Sequence, residues 1–157
     1  MIRPATHADL QQLGRLGAML MHTHFAFDQQ RFLPPGDDPE NGYAWFLATQ
    51  LDDPEAAVLV ALREEQIVGY VYVALEPLSW KELRGPAGFI HDIVVEPRAQ
   101  RAGVARQLLD AAVTWLRDRG APQAVLWTAT ANDRAQGLFE SAGFRKTMTE
   151  MTLELRE

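Results

Sequence analysis

Residues 95 to 112 read VEPRAQRAGVARQLLDAA: a proline, an Arg-Ala-Gln-Arg run and one glycine, followed without a break by an apolar helical pattern. A helix begins with about four unpaired N–H groups and a partial positive charge. An entry bearing Gly103 and flanked by Arg98, Arg101 and Arg106 therefore suits an anion, and phosphate is the obvious one. Arginine and glutamine are also ordinary solvated residues of a first turn, so the stretch alone leaves a plain surface entry open. Just upstream, GFIHDIVV puts His91 and Asp92 on a strand that feeds this turn. Imidazole and carboxylate are groups that can take a proton from a reacting amine. His91 serves equally well as a hydrogen-bonded strand residue with no proton duty. On a regular strand successive side chains point to opposite faces, which places Asp92 across the sheet from His91 unless a bulge intervenes.

Composition narrows the chemistry. The 157 residues, 47% hydrophobic and 23% charged, are ordinary for one soluble domain spanning residues 1–157. There are no cysteines, which excludes disulfides, thiolate metal sites and a cysteine nucleophile. A net charge of −6 argues against nucleic-acid binding and mildly favours cationic ligands. His22 and His24 stand two apart, on different faces of a helix, with no carboxylate at zinc-ligand spacing, so no metal is expected. No apolar run is long enough to cross a membrane, and the opening MIRPATHADLQQLG lacks a signal-peptide pattern, so no membrane partner and a cytoplasmic location are expected. Neither a Walker loop nor a Gly-x-Gly-x-x-Gly turn occurs between residues 95 and 106.

The elements that position these residues follow from periodicity. A short extended start leads to Thr6 and Asp9, spaced as a capping box, before a helix whose inward face carries Leu10, Leu13, Gly17, Leu20 and His24. RFLPPGDDPENG is a loop and YAWFLATQL a short helix. AAVLVAL and IVGYVYVAL, joined by REEQ, read as a hairpin, with Gly69 marking a bulge or a close approach. EPLSWKELRGP is a loop and GFIHDIVV the third long strand. After Gln100 the set Val104, Leu108, Ala112, Trp115 and Leu116 keeps helical spacing until Gly120 and Pro122. AVLWTA is a short buried strand, NDRAQGLFESAG a helix capped by Asn132, and FRKTMTEMTLEL one or two closing strands. The order is that of a mixed α/β domain.

Two spaced motifs carry a resemblance. Val95-Glu96-Pro97 followed by Gln100-Arg101-Ala102-Gly103-Val104-Ala105 is similar to the phosphate loop Gln/Arg-x-x-Gly-x-Gly/Ala of the GNAT superfamily of acetyl-coenzyme A dependent N-acetyltransferases. Asn132, Ala135, Phe139, Gly143 and Phe144 match the superfamily's second signature at its spacing. The resemblance implies an α/β (α+β) fold with a central mixed, mostly antiparallel sheet flanked by helices. Its fourth and fifth strands splay to admit coenzyme A.

It also implies a cofactor set of Ile93, Val94, Val95, Gln100, Arg101, Ala102, Gly103, Val104, Ala105, Arg106, Asn132 and Phe139. Acetyl-CoA is the cosubstrate. The acetyl group passes directly to a primary amine of a small molecule or peptide through a tetrahedral intermediate, with a strand amide near Val95 as oxyanion donor. His91 stands where relatives often carry a glutamate acting through water, and Asp92 binds substrate or forms an ion pair. His24, Phe27, Tyr43, Glu76 and Trp80 are candidate acceptor contacts, and a homodimer is compatible with the family. Phe139 departs from the pattern: relatives usually place there a tyrosine that protonates the leaving thiolate, which leaves water, Ser141 or Tyr72 as proton donors. A non-catalytic acyl-CoA-binding module of the same fold is the alternative.

Overall fold

The computed structural model describes residues 1–156. Strand β1 (Ile2–Pro4) enters a 3₁₀ turn, His7–Asp9, that opens helix α1 (Leu10–Phe27). The capping box is present, and the Asp9 carboxylate also takes two hydrogen bonds from Arg3, at 2.8 and 3.1 Å. Helix α2 (Pro39–Leu51) starts four residues earlier than the helix-forming run, because Asp38 accepts from the Asn41 N–H and Pro39 supplies a ready-set first turn. Strands β2 (Ala56–Arg63), β3 (Gln66–Glu76) and β4 (Ala87–Val95) follow. The β2–β3 link is two residues and not the four of REEQ: Glu64 and Glu65 both take positive φ, 50° and 65°, the geometry of a tight hairpin turn. Helix α3 (Val104–Asp118), strand β5 (Ala124–Leu126) and helix α4 (Asp133–Ser141) complete the elements.

The sheet has the order β1-β2-β3-β4-β5, antiparallel except for the parallel β4–β5 pair that α3 connects. Each face is apolar and covered. One face carries Val71, Val73, Ile90 and Val95 under the α3 residues Leu108, Leu109, Ala112 and Leu116, with Phe139 of α4 alongside. The other carries Val58, Val60, Tyr70 and Tyr72 under Leu13 and Leu16 of α1 and Leu47 of α2. Gly69 is the close approach its type suggested: a Cβ there would lie 2.6 Å from the Val94 carbonyl oxygen.

Two features set up the site. First, β4 and β5 pair only over Gly88–Ile90 against Ala124–Leu126, after which the strands part. His91 to Val95 therefore have a neighbour on the β3 side alone, which is the splay the resemblance implied. Second, FRKTMTEMTLEL forms no strand. Every residue from Arg145 to Arg156 is exposed and joins no ladder. The sequence pattern is that of a strand, but strand structure needs a partner edge, and this segment is instead tied to the α1–α2 loop by Arg31, which pairs with Glu150.

Candidate active site

The turn into α3 is built on left-handed backbone. Arg101 and Gly103 take φ of 68° and 80°, and Gly103 is the N-cap residue of α3 with no side-chain cap on the helix. The first-turn N–H groups therefore face outward without a protein acceptor at the cap, and a Cβ on Gly103 would meet nothing within 4 Å. Gln100 braces the turn. Its Nε2 donates to the Val95 carbonyl at 3.0 Å, and its Oε1 accepts from Arg134 Nη1 at 2.6 Å, joining β4, the turn and α4. A cleft of about 280 Å³ opens here, lined from β4 by Ile93 and Val95 and from the turn and α3 by Gln100, Arg101, Gly103, Val104, Ala105 and Arg106. Helix α4 closes it with Asn132, Arg134, Ala135, Leu138 and Phe139. Asn132 caps α4, its Oδ1 accepting from the Ala135 N–H at 3.2 Å, and it also borders the cleft.

The far face of β4 carries the titratable groups. Opposite the pair Tyr72/Val73 the register shifts, with Tyr72 facing Asp92 and Val73 facing Ile90, so His91 is an extra, bulged residue. The bulge overturns the regular-strand expectation. His91 and Asp92 lie on the same face, toward α1 and α2. Asp92 Oδ2 accepts from Tyr43 Oη at 2.5 Å and from Tyr70 Oη at 2.9 Å, and Oδ1 has no hydrogen-bond donor among the described residues. Burial pushes the Asp92 carboxyl above its ordinary range, against the pull of the two tyrosine hydroxyls and the field of His91 and His24. The same burial, with the carboxylate beside them, drives Tyr43 and Tyr70 far upward and Tyr72 up to about 12, so all three stay protonated donors at neutral pH.

His91 is held in a stack. Its ring lies between Tyr72, with centroids 4.9 Å apart, and Phe89, 5.4 Å away, and the Arg84 guanidinium sits 5.0 Å over the Phe89 ring. His91 Nε2 is 3.0 Å from Glu76 Oε1, and the imidazole keeps about a third of its side-chain surface, 33%, open to solvent. Glu76 as a carboxylate can only accept, so Nε2 carries the hydrogen and Nδ1 keeps the lone pair.

Of the acceptor-side candidates, Tyr43 and Glu76 join this cluster directly. His24 and Phe27 form a separate edge-to-face group with Phe32 at the end of α1. Trp80 is 83% exposed in the β3–β4 loop, away from the cluster's contacts. Two members of the cofactor set fall outside the cleft: Val94 alternates onto the α1–α2 face, and Ala102 does not reach the lining. The hydroxyls offered as proton donors are both engaged elsewhere. Ser141 donates to the Leu138 carbonyl at 2.7 Å, Tyr72 donates to Gln50 Oε1 at 2.7 Å, and neither lines the cleft.

Arg134, Tyr70 and Gln50 are further neighbours of the candidate site that no motif or spacing in the sequence marks. A cation in a helix's first turn opposes the dipole, and that unfavourable placement of Arg134 was a signal. Tyr70 shares the strand alternation of Tyr72 and is fully buried, which for a tyrosine calls for a hydroxyl partner.

The sequence matches the profile described as Acetyltransferase (GNAT) family over residues 19–144. It is 33% identical over 117 residues to the mycothiol acetyltransferase of Thermomonospora curvata, a match spanning 70% of this chain but 36% of that protein. It is 31% identical over 117 residues to the aminoglycoside N(6')-acetyltransferase type 1 of Stenotrophomonas maltophilia, covering 73% of each. Among solved structures, the BH1408 protein of Bacillus halodurans, determined as a tetramutant, superposes with a TM-score of 0.81 at 24% identity over 99% of both chains. The aminoglycoside N-acetyltransferase AAC(6')-Iy in complex with CoA gives 0.77 at 20% identity over 99% of this chain and 94% of that one. With its splayed β4, open α3 turn and a family match across most of its length, the chain belongs to the acetyltransferase (GNAT) family.

Proposed function

We propose that this chain transfers an acetyl group from acetyl-CoA directly to a primary amine. The observation that carries the reading is the unpaired length of β4 beyond Ile90, which leads straight to the open first turn of α3. An extended, hydrogen-bonding arm fits the free strand edge, and a pyrophosphate fits the turn's unpaired N–H groups. Ile93, Val95, Phe139 and Leu138 give the arm apolar walls, while Arg101, Arg106 and Arg134 add positive charge at the phosphate end. The thioester supplies the activated acetyl group.

The protein's own part lies on the other face of β4. A lysine-like ammonium has a pKa of about 10.4, so at neutral pH only about one in a few thousand is free to attack, a deficit of about 4–5 kcal/mol. Asp92 Oδ1 holds the ammonium, and the Nδ1 lone pair of His91 accepts its proton directly or through one water. Glu76 keeps the imidazole in that tautomer and stabilises it once charged. The amine nitrogen then bonds to the carbonyl carbon, sheds its second proton to water as the carbon–sulfur bond breaks, and the thiolate is protonated from water in turn, so that the proton on His91 is the one released overall. A thiol near the cysteine value of about 8.5 is a tolerable leaving group without a dedicated acid. The acceptor is an amine that is cationic in solution, since the two carboxylates Asp92 and Glu76 stand among aromatic rings at this face.

The test is a panel of amines with acetyl-CoA, read by released thiol; the chain has no cysteine to give a background. Coenzyme A is expected to stabilise the fold by about 2.7 kcal/mol at a hundredfold excess over its dissociation constant. Gly103→Val, which forces a branched side chain onto φ of 80°, is expected to lose that shift. Coenzyme A binding without acetylation of any amine would leave the non-catalytic binding module as the better description.

A further inference from the structure

Glu96 is 4% exposed, a buried carboxylate to which the acetyl-transfer chemistry gives no part. It stands between Val95, the last residue of β4 and part of the cleft wall, and Pro97, which opens the 3₁₀ turn Pro97–Ala99 on the way to Gly103. Its backbone is fixed on both sides: the N–H donates to the Val68 carbonyl at 2.8 Å, and the carbonyl accepts from the Ala99 N–H at 2.9 Å. The side chain turns away from the cleft, toward α1. There Oε1 accepts from Arg15 Nη2 and Oε2 from Arg98 Nε, and Arg98 Nη2 goes on to Gln66 Oε1, at the start of β3, at 3.0 Å. Arg98, which the sequence groups with the arginines flanking a phosphate, thus directs its guanidinium to Glu96, and none of Arg15, Glu96 and Arg98 lines the cleft. Burial pushes the Glu96 carboxyl up, but the two arginines outweigh it, and the group is ionised at neutral pH. Exchanging a buried ion cluster for apolar groups is often neutral or favourable for stability, so cohesion alone does not account for a carboxylate here. What the cluster supplies is direction.

We infer that Glu96 is a positioning residue: held by Arg15 of α1 and by Arg98, it sets the angle at which β4 leaves the sheet for the α3 turn, and so the aim of the N–H groups that receive the coenzyme's pyrophosphate. The inference rests on the reading of that turn as the coenzyme site. The contacts downstream leave little slack to absorb a shift at residue 96. Ala99, three positions on, is locked in the α3-side core at 1% exposure, and Gln100 Nε2 ties the turn back to the Val95 carbonyl at 3.0 Å. Arg101 and Gly103 follow at once with the left-handed backbone that shapes the turn. A change in the side-chain anchor of Glu96 is therefore passed on to the first turn of α3. Arg15 reaches this point from 81 positions away in the sequence and has no route to the coenzyme except through Glu96. Both arginines also border a polar cavity of about 320 Å³. Water entering from that cavity can take the place of a removed guanidinium, so a chain without Arg15 is expected to fold while its Glu96 carboxylate is released from α1.

The test is the dissociation constant of coenzyme A, measured by calorimetry on the full chain well below its melting temperature, so that only folded protein is titrated. Arg15→Met, which keeps the apolar stem, and Glu96→Gln are each expected to weaken coenzyme A about tenfold. The two together are expected to weaken it no further than either alone, because they remove one link. Arg15→Lys is expected to restore most of the affinity, since Arg15 gives Glu96 a single nitrogen and an ammonium can do the same. Ionic strength separates aim from direct attraction. An arginine that meets phosphate contributes an attraction that salt screens, so its loss flattens the salt dependence of affinity. Arg15→Met and Arg98→Met are instead expected to keep the slope of the parent. Unchanged affinity in Arg15→Met and Glu96→Gln, with only the melting temperature lowered, overturns the proposal and leaves the cluster a stabilising contact. So do losses that add in the double variant, a lysine that restores nothing, or a flattened slope. If Glu96→Gln does not fold, Arg15→Met and Arg15→Lys decide alone. Gly103→Val is the control for the site: if it binds coenzyme A as the parent does, the coenzyme reading of the turn has failed, and this inference with it.

Discussion

His91 owes its candidacy to what surrounds it rather than to its type. Tyr72 and Phe89 fix the plane of the ring, and Glu76 fixes which nitrogen keeps a lone pair. His91→Ala is expected to lower turnover about a hundredfold or more while coenzyme A affinity, read by calorimetry, stays near that of the parent. Glu76→Gln is expected to cause a smaller loss, because an amide can donate as well as accept and no longer dictates the tautomer. Unchanged turnover in His91→Ala would return the residue to the role of a hydrogen-bonded strand histidine. On the coenzyme side, Phe139 is 6% exposed and carries no proton, and the two hydroxyl candidates, Ser141 and Tyr72, donate to the Leu138 carbonyl and to Gln50. Phe139→Tyr is therefore expected to raise kcat with the best acceptor by supplying a donor at the cleft wall. A flat response would mean that solvent already protonates the thiolate before that step limits the rate.

At the scale of elements, the packing of α1 on α2 positions Tyr43. A Cβ on Gly17 would stand 2.1 Å from the Tyr43 ring, so the tyrosine reaches Asp92 only because residue 17 has no side chain. Gly17→Ala is expected to cost about 1–3 kcal/mol of stability by overpacking. Turnover should fall with it, and the coenzyme cleft on the opposite face should keep its affinity; a thermal melt and a calorimetric titration check both. The helical face containing Gly17 was legible in the sequence, as were the α3 turn and most of its lining, since periodicity and a glycine-bearing entry are local signals. The bulge at His91 was not, because a bulge depends on how the partner strand pairs, and nothing in HDIVV marks the extra residue. The segment after Phe144 reads as a strand for sound local reasons, but strand formation depends on an edge that lies elsewhere. Arg134 escaped notice because its role arises from Gln100, 34 positions away.

Over the whole molecule, two ion-pair networks and one buried acid set opposite pH dependences. Burial alone would raise the Glu96 carboxyl, but Arg98 and Arg15 outweigh it and hold it below its ordinary 4.5, and Arg3 with Thr6 holds Asp9 below 3.8. Depressed carboxyls contribute stability that is present above those ordinary values and is lost as pH falls through the lower folded-state values. Acid titration of thermal stability is expected to show this loss, reduced in Glu96→Gln. Asp92 runs the other way: its raised pKa gives a contribution present below 3.8 and lost as pH rises through the folded value, so the ionised, buried carboxylate costs stability at neutral pH. Asp92→Asn is accordingly expected to raise the melting temperature at neutral pH and to lower turnover. Finally, the alternation of β4 puts Ile93 and Val95 on the cleft side and Asp92 with Val94 on the other. The strand thus separates the cleft from the face proposed for the acceptor, so neither reactant has to depart before the other enters. Steady-state kinetics should then give intersecting rather than parallel double-reciprocal lines, with coenzyme A competing against acetyl-CoA alone.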